Sequence, residues 1–249
     1  TTSGLLTAVS GGVVTVTYTL GTGCNAMFTV TVNGLPGAIG GPNQVCEGST
    51  ISLSTASTTG LWSSADPGVA NAGALTGVIT GMSAMTPGVL GTGVTLITYT
   101  LPTGCFRTHE VTVNPLPNPI VGNSDVCVGD VALYTCATPA GGWMSSNPAL
   151  GTIDGVTGVF GGISAGTVII SYVLPTACIA TKAITVHDNP APISGSLSVC
   201  AGFATNLHSA PAGGTWSQAP SSMGYGTIHS LTGVVSGIVA GVIPVTYTL

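Results

Sequence analysis

Tyr99-Thr100-Leu101-Pro102-Thr103-Gly104-Cys105, followed by Val111-Thr112-Val113-Asn114-Pro115-Leu116-Pro117, decides how this chain is read. β-formers alternate up to a Gly-bearing turn, a second alternating run follows, and Pro breaks it. That is the pattern of a hairpin followed by a linker. The phrase recurs. Tyr18-Thr19-Leu20-Gly21-Thr22-Gly23-Cys24 leads to Thr29-Val30-Thr31-Val32-Asn33-Gly34-Leu35-Pro36, and Tyr172-Val173-Leu174-Pro175-Thr176-Ala177-Cys178 leads to Ala183-Ile184-Thr185-Val186-His187. A further copy opens at Tyr247-Thr248-Leu249. Internal repeats outrank length as a guide to organisation, so the 249 residues read as a tandem array.

The register is tight. Cys46 to Trp62, Cys127 to Trp143 and Cys200 to Trp216 are each 16 apart, while Cys24 to Cys46, Cys105 to Cys127 and Cys178 to Cys200 are each 22 apart. Leu20, Leu101, Leu174 and Leu249 give periods of 81, 73 and 75. Residues 1–34 are expected to be the back half of one domain, with two strands between Thr2 and Leu20 and a closing strand over Phe28 to Asn33. Complete domains are expected over 35–115 and 116–187, and a domain lacking its last strand over 188–249. In the first of these, Ala74 to Ile79 is read as a short turn-containing strand pair. Seven or so short strands per repeat, separated by turn signals, predict an all-β fold, a tandem array of immunoglobulin-like β-sandwiches. Trp62, Trp143 and Trp216, one per repeat at fixed register, are expected to anchor the cores.

Composition narrows the function classes. Charged residues make up 4%, against roughly 25% in ordinary soluble domains, and Arg107 and Lys182 are the two basic ones. Nucleic-acid binding by phosphate neutralisation needs clustered Lys and Arg and is not expected, nor is binding to anionic membrane surfaces. No apolar run approaches the roughly 18 residues of a membrane helix, so membrane insertion is not expected either. The aliphatic content, broken by 38 Gly and 16 Pro, is that of a β-protein rather than a disordered chain. A surface with so little charge has little electrostatic defence against association, which suits packing against copies of itself.

The order V-C-x-G, a strand, a Trp strand, T-G-V, a Tyr strand, G-C, V-T-V-N and P-L-P resembles the bacterial immunoglobulin-like and PKD-like repeats of very long Bacteroidota-type surface proteins, adhesins and gliding-associated proteins. The resemblance covers essentially the whole chain and implies an extracellular or cell-surface array; it implies no catalytic activity.

Seven cysteines in a chain read as exported predict disulfides at Cys24, Cys46, Cys105, Cys127, Cys178 and Cys200, with Cys136 a free thiol in a strand. Connectivity stays open. Pairs within a domain would be Cys46–Cys105 and Cys127–Cys178; pairs across a linker would be Cys24–Cys46, Cys105–Cys127 and Cys178–Cys200. The turn before the second strand and the turn before the last strand lie at opposite poles of a sandwich. Stacked head to tail, they would favour Cys46–Cys178, an option that ranks level with the intradomain one.

No catalytic, cofactor or metal site is expected. There is no C-x-x-C, the four His (His109, His187, His208, His229) are scattered, and no acids form a D-x-D cluster. His109 and His187 are read as surface strand residues, and Asp125 and Asp130 as turn residues flanking Cys127.

The function expected is therefore structural: an extracellular or cell-surface fibre, filament or stalk whose partners are copies of itself. The alternative is an adhesin module for a glycan or matrix ligand. An insertion private to the first complete domain, Met82 to Gly93, carries Met82, Met85, Val89 and Leu90 with no charge, and is expected to make lateral contacts. Residues 1–20 align without a gap on 230–249, so a sandwich lacking its last strand would be closed in one of two ways. Either the chain is an excerpt of a longer continuous array, or separate subunits donate strands to one another. The excerpt is favoured, because the cut falls mid-repeat and leaves redundant strands in residues 1–20.

Overall fold

The structure, a computed structural model, describes residues 4–82 and 93–249. The chain opens with a hairpin of β1 (Gly12–Thr19) and β2 (Asn25–Val32), both exposed along most of their length. Residues 4–11 form no strand, so the two strands expected before Leu20 are one among the described residues. Val13, Tyr18 and Phe28 on this hairpin are largely exposed.

A first sandwich follows: β3 (Gln44–Cys46), β4 (Thr50–Ser52), β5 (Leu61–Ser64), β6 (Ala70–Ala72), β7 (Val78–Gly81), β8 (Gly93–Thr100) and β9 (Phe106–Asn114). One sheet has the order β3-β9-β8-β5 and the other β4-β7-β6. Of the strand pair expected within 74–79, only Val78 and Ile79 are strand, in β7; its partner β6 precedes the stretch, and Gly73 to Gly77 form the turn between them. The second sandwich repeats the plan with β10 (Asp125–Cys127), β11 (Val131–Leu133), β12 (Gly142–Ser145), β13 (Gly151–Ile153), β14 (Val159–Gly162), β15 (Gly166–Val173) and β16 (Ile179–His187), in sheets β10-β16-β15-β12 and β11-β14-β13. In both, the first strand runs parallel to the last, Cys46 opposite Asn114 and Cys127 opposite His187.

Alternation puts one face of each strand inward. Along β8, Thr95, Ile97 and Tyr99 are buried while Val94 and Leu96 point out. Val45, Trp62, Ile79, Ile97, Val111 and Val113 come from both sheets into one core. Val126, Trp143, Phe160, Ile170, Ile184 and Val186 do the same in the second sandwich.

The third repeat has β17 (Ser194–Gly195), β18 (Ala204–His208), β19 (Thr215–Gln218), β20 (Gly226–Ile228), β21 (Val234–Gly237) and β22 (Val245–Thr248). It pairs them as β17-β18-β21-β20 and β19-β22. Among the described residues its last strand is β22, the counterpart of β8 and β15, and Ser198 to Cys200, at the position of β3 and β10, is not a strand. Its fully buried hydrophobic core shrinks to Leu207, Trp216 and Val235.

Candidate functional site

Two constructions recur from repeat to repeat: a clamp inside each sandwich and a junction between sandwiches. The clamp is built by the Tyr of the hairpin phrase. The Tyr99 hydroxyl donates to Ser57 O at 2.8 Å and accepts from Gly60 N at 2.8 Å. The Tyr172 hydroxyl donates to Thr138 O at 2.7 Å and accepts from Gly141 N at 2.9 Å. The Tyr247 hydroxyl donates to Pro211 O at 2.7 Å and accepts from Gly214 N at 2.8 Å. Each ring also packs on the core Trp, with centroids 4.8, 4.8 and 4.7 Å apart. The Gly two residues before each Trp is required by this arrangement: a Cβ on Gly141 would sit 2.4 Å from the Tyr172 ring. Trp62, Trp143 and Trp216 all lie in the cores.

The junction is carried by cysteine. Cys46, at the end of β3, is bonded to Cys178, in the turn before β16, with Cα atoms 5.6 Å apart at a sequence separation of 132. Cys178 is buried, and its Sγ lies 3.9 Å from Asn114 O, where the first sandwich ends. Asn114 is itself buried; its Nδ2 donates to Gln44 Oε1 at 3.1 Å and its carbonyl accepts from Glu47 N at 2.9 Å. One repeat earlier the same corner is half built: Cys105 Sγ lies 3.7 Å from Asn33 O, at the end of β2. Beside it, Arg107 Nε donates to Pro36 O at 2.7 Å.

Cys24, Cys105, Cys127, Cys136 and Cys200 are free thiols, against the expectation of bridges at all six repeat positions. The reason is register. The bond joins the first-strand cysteine of one sandwich to the hairpin cysteine of the next. Neither the intradomain nor the cross-linker pairings are formed. Cys136 Sγ donates to Asn118 O at 3.2 Å.

Met82 is half exposed, while Met85, Val89 and Leu90 lie outside the described residues. His187 and Asp125 meet at 2.7 Å on the surface, so Asp125 is engaged across two strands rather than in a turn alone. His109 is partly buried, and its Nε2 is enclosed without a hydrogen-bond partner, which differs from a surface strand residue. No cluster of three metal-ligating side chains occurs among the described residues. Against the expectation that no G-x-S-x-G occurs, Gly162-Ile163-Ser164-Ala165-Gly166 has that spacing, the one a nucleophile elbow uses. Ser164 stands instead in an exposed turn between two strands, its N–H donating to Leu150 O at 3.1 Å; no helix follows it.

No protein-family model matches the chain, and no curated protein matches it. Among solved structures, a C-terminal 282-residue fragment of intimin, in complex with the intimin-binding domain of the translocated intimin receptor, is similar. It shares 14% identity over 66% of this chain and 67% of that chain, at a TM-score of 0.38. Human CDH23 EC21-23 shares 11% over 83% of this chain and 91% of that one, at 0.27. The protocadherin GammaB4 extracellular domain shares 10%, and the chain spans about half of it, 54%, at 0.26.

Proposed function

We propose that this chain is a non-enzymatic structural repeat protein that forms or extends an extracellular or cell-surface fibre, filament or stalk. Its units are the sandwiches of residues 35–115, 116–187 and 188–249, preceded by the back half of another in residues 1–34. The observation that carries the reading is the Cys46–Cys178 bond, which joins consecutive sandwiches rather than closing one. A bond placed there limits bending between units and adds little to the core of either. An oxidised cysteine pair fits an exported chain, and the near-absence of charge fits packing against like surfaces.

Electron microscopy of native material without added ligand tests this. Ordered filaments or stalks with a repeat along the axis are the expected result. Monomers that instead give saturable binding on a glycan or matrix array would replace the structural reading with the adhesin one.

A further inference from the structure

The linker that enters each complete sandwich is tied down by the same two groups. In the first, Thr55 Oγ1 donates to Gly37 O at 3.0 Å, and Gly37 N donates to Ser57 Oγ at 2.9 Å. In the second, Cys136 Sγ donates to Asn118 O at 3.2 Å, and Asn118 N donates to Thr138 Oγ1 at 2.8 Å. Thr55 and Cys136 both stand nine residues past the first-strand cysteine, and Ser57 and Thr138 eleven past it. From the same place in the third repeat, Ser209 Oγ donates to Ala191 O at 2.8 Å. Cys136 is therefore not a stray thiol: it fills the place of a hydroxyl donor.

The second tie leads on into the clamp. Thr138 O accepts from the Tyr172 hydroxyl at 2.7 Å, as Ser57 O accepts from that of Tyr99 at 2.8 Å. Six residues past Tyr172, in the turn after β15, stands Cys178. Its Sγ lies 3.9 Å from Asn114 O, and Asn114 ends β9 opposite Cys46 of β3. Only Pro115, Leu116 and Pro117 separate Asn114 from Asn118, and Pro117 is buried. Two of those three linker residues have φ fixed by a proline ring. The contacts thus close a ring that starts and ends at Asn114, with Cys46 on the next strand. The joint before it is built the same way. Cys105, six past Tyr99, lies 3.7 Å from Asn33 O, again with three residues between Asn33 and the tied Gly37, and Cys105 is a free thiol. There the ring brings a hairpin cysteine to the corner with no S–S bond taking part.

We propose that this ring is a strap that sets the joint between the two complete sandwiches ahead of the bond, so that Cys46–Cys178 is a reversible lock on a joint already in place. The strap keeps the two thiols at one corner, and each meets the other at a raised effective concentration. That selects Cys46–Cys178 over other pairings of the seven cysteines. It also makes Cys136 a positioning residue rather than a bonding partner. On locking, the two thiols give one S–S bond. Two electrons pass to a small-molecule disulfide such as glutathione disulfide, which leaves as two thiols carrying the two protons. Reduction runs the same step backwards and leaves the strap closed, with the Cys178 thiol donating to Asn114 O.

The strap deepens the structural reading above, because it acts on the joint which that reading rests on, and a glutathione titration of the purified 249-residue chain tests it. The oxidised fraction of Cys46–Cys178, mapped by mass spectrometry, gives the effective concentration of one thiol at the other. Cys136→Ala with Thr138→Val removes both ties. The expected result is an effective concentration lower by about tenfold or more, the factor that one or two lost hydrogen bonds carry. Cys136→Ser with Thr138→Ser keeps both ties and is expected to restore the parent value. Asp154→Asn perturbs the second sandwich in the turn between β13 and β14, outside the ring, and is expected to leave the value unchanged. All four chains are compared where near-UV circular dichroism shows them folded. An untied variant that matches the parent would overturn the strap. So would a serine pair that falls with it, or an equal fall in Asp154→Asn, which would assign the effect to stability alone. Filaments play no part in this readout. Native filaments beside an unchanged effective concentration would leave the fibre reading standing without the strap, and monomers with the expected shift would leave the strap standing without the fibre.

Discussion

At the residue scale the most informative side chain is the repeated Tyr. In the second sandwich its hydroxyl both donates and accepts, tying the loop at Thr138 to Gly141 onto the core Trp. Tyr172→Phe keeps the ring and loses both bonds, leaving Gly141 N–H and Thr138 O to find other partners. We expect a loss of about 1–3 kcal/mol, read by chemical denaturation, with no change in fold. Asp154 offers a pH test. Its Oδ1 accepts from Thr157 N at 2.7 Å, Thr157 Oγ1 at 2.8 Å and Val156 N at 3.1 Å, and these bonds hold its pKa below the ordinary carboxylate value. A depressed pKa stabilises the fold above the unfolded carboxylate range and loses that contribution as pH falls through the lower folded value. Asp154→Asn is therefore expected to melt earlier than the parent at pH 7. The gap should close on acidification below about pH 4, the unfolded carboxylate range; a gap unchanged across that window would assign the effect to something other than charge. The core role of Trp143 was legible from its fixed register. The clamp was not, because neither periodicity nor spacing records that a hydroxyl reaches 31 residues back to Gly141. Nor does a sequence show that Gly141 is glycine to make room for a ring.

At the element scale the sequence exposed strands and turns well where alternation was clean, as in β8, β9, β15 and β16. It misplaced them where Gly and Ala dominate. Ala70–Ala72 carries almost no apolar signal, yet it is a strand because β7 supplies its partner. Of the two strands expected before Leu20, only β1 forms among the described residues: the β-formers are there, but only β2 offers a ladder. Strand completeness should be readable as local stability. β15 lies between β12 and β16 with its inward residues buried, whereas among the described residues β22 pairs only with β19 and β1 only with β2. By hydrogen exchange of the monomer at low concentration, amides of β1, β2 and β22 are expected to exchange well ahead of those in β15 and β16. Uniform protection across all five strands would mean that the edges of the hairpin and of β22 are covered in solution.

At the scale of the whole molecule the disulfide sets how load would travel. Its connectivity was one of three options open in the sequence, since a contact 132 residues apart depends on which poles of two sandwiches meet. The two cores share no residue, and no strand of one sandwich pairs with a strand of the other among the described residues. The chain-entropy value for closing so long a loop, about 4–5 kcal/mol, therefore overstates what the bond gives either fold. Its consequence is mechanical. Pulled from its two ends, the chain passes force through Cys46 and Cys178, and everything from β4 to β15 lies off the load path; only β3 and β16, at the bridged corner, stay on it. In single-molecule stretching, the oxidised chain is expected to extend without unfolding either of the two complete cores as a unit. Adding a thiol reductant under load should release the shielded segment, a sequence separation of 132, or about 440–480 Å of extra contour length at full extension. Cys46→Ser should show that length from the start, with no response to reductant. Equal extension of the oxidised and reduced chains would mean that the bond is not in the load path, and that the junction serves something other than tension.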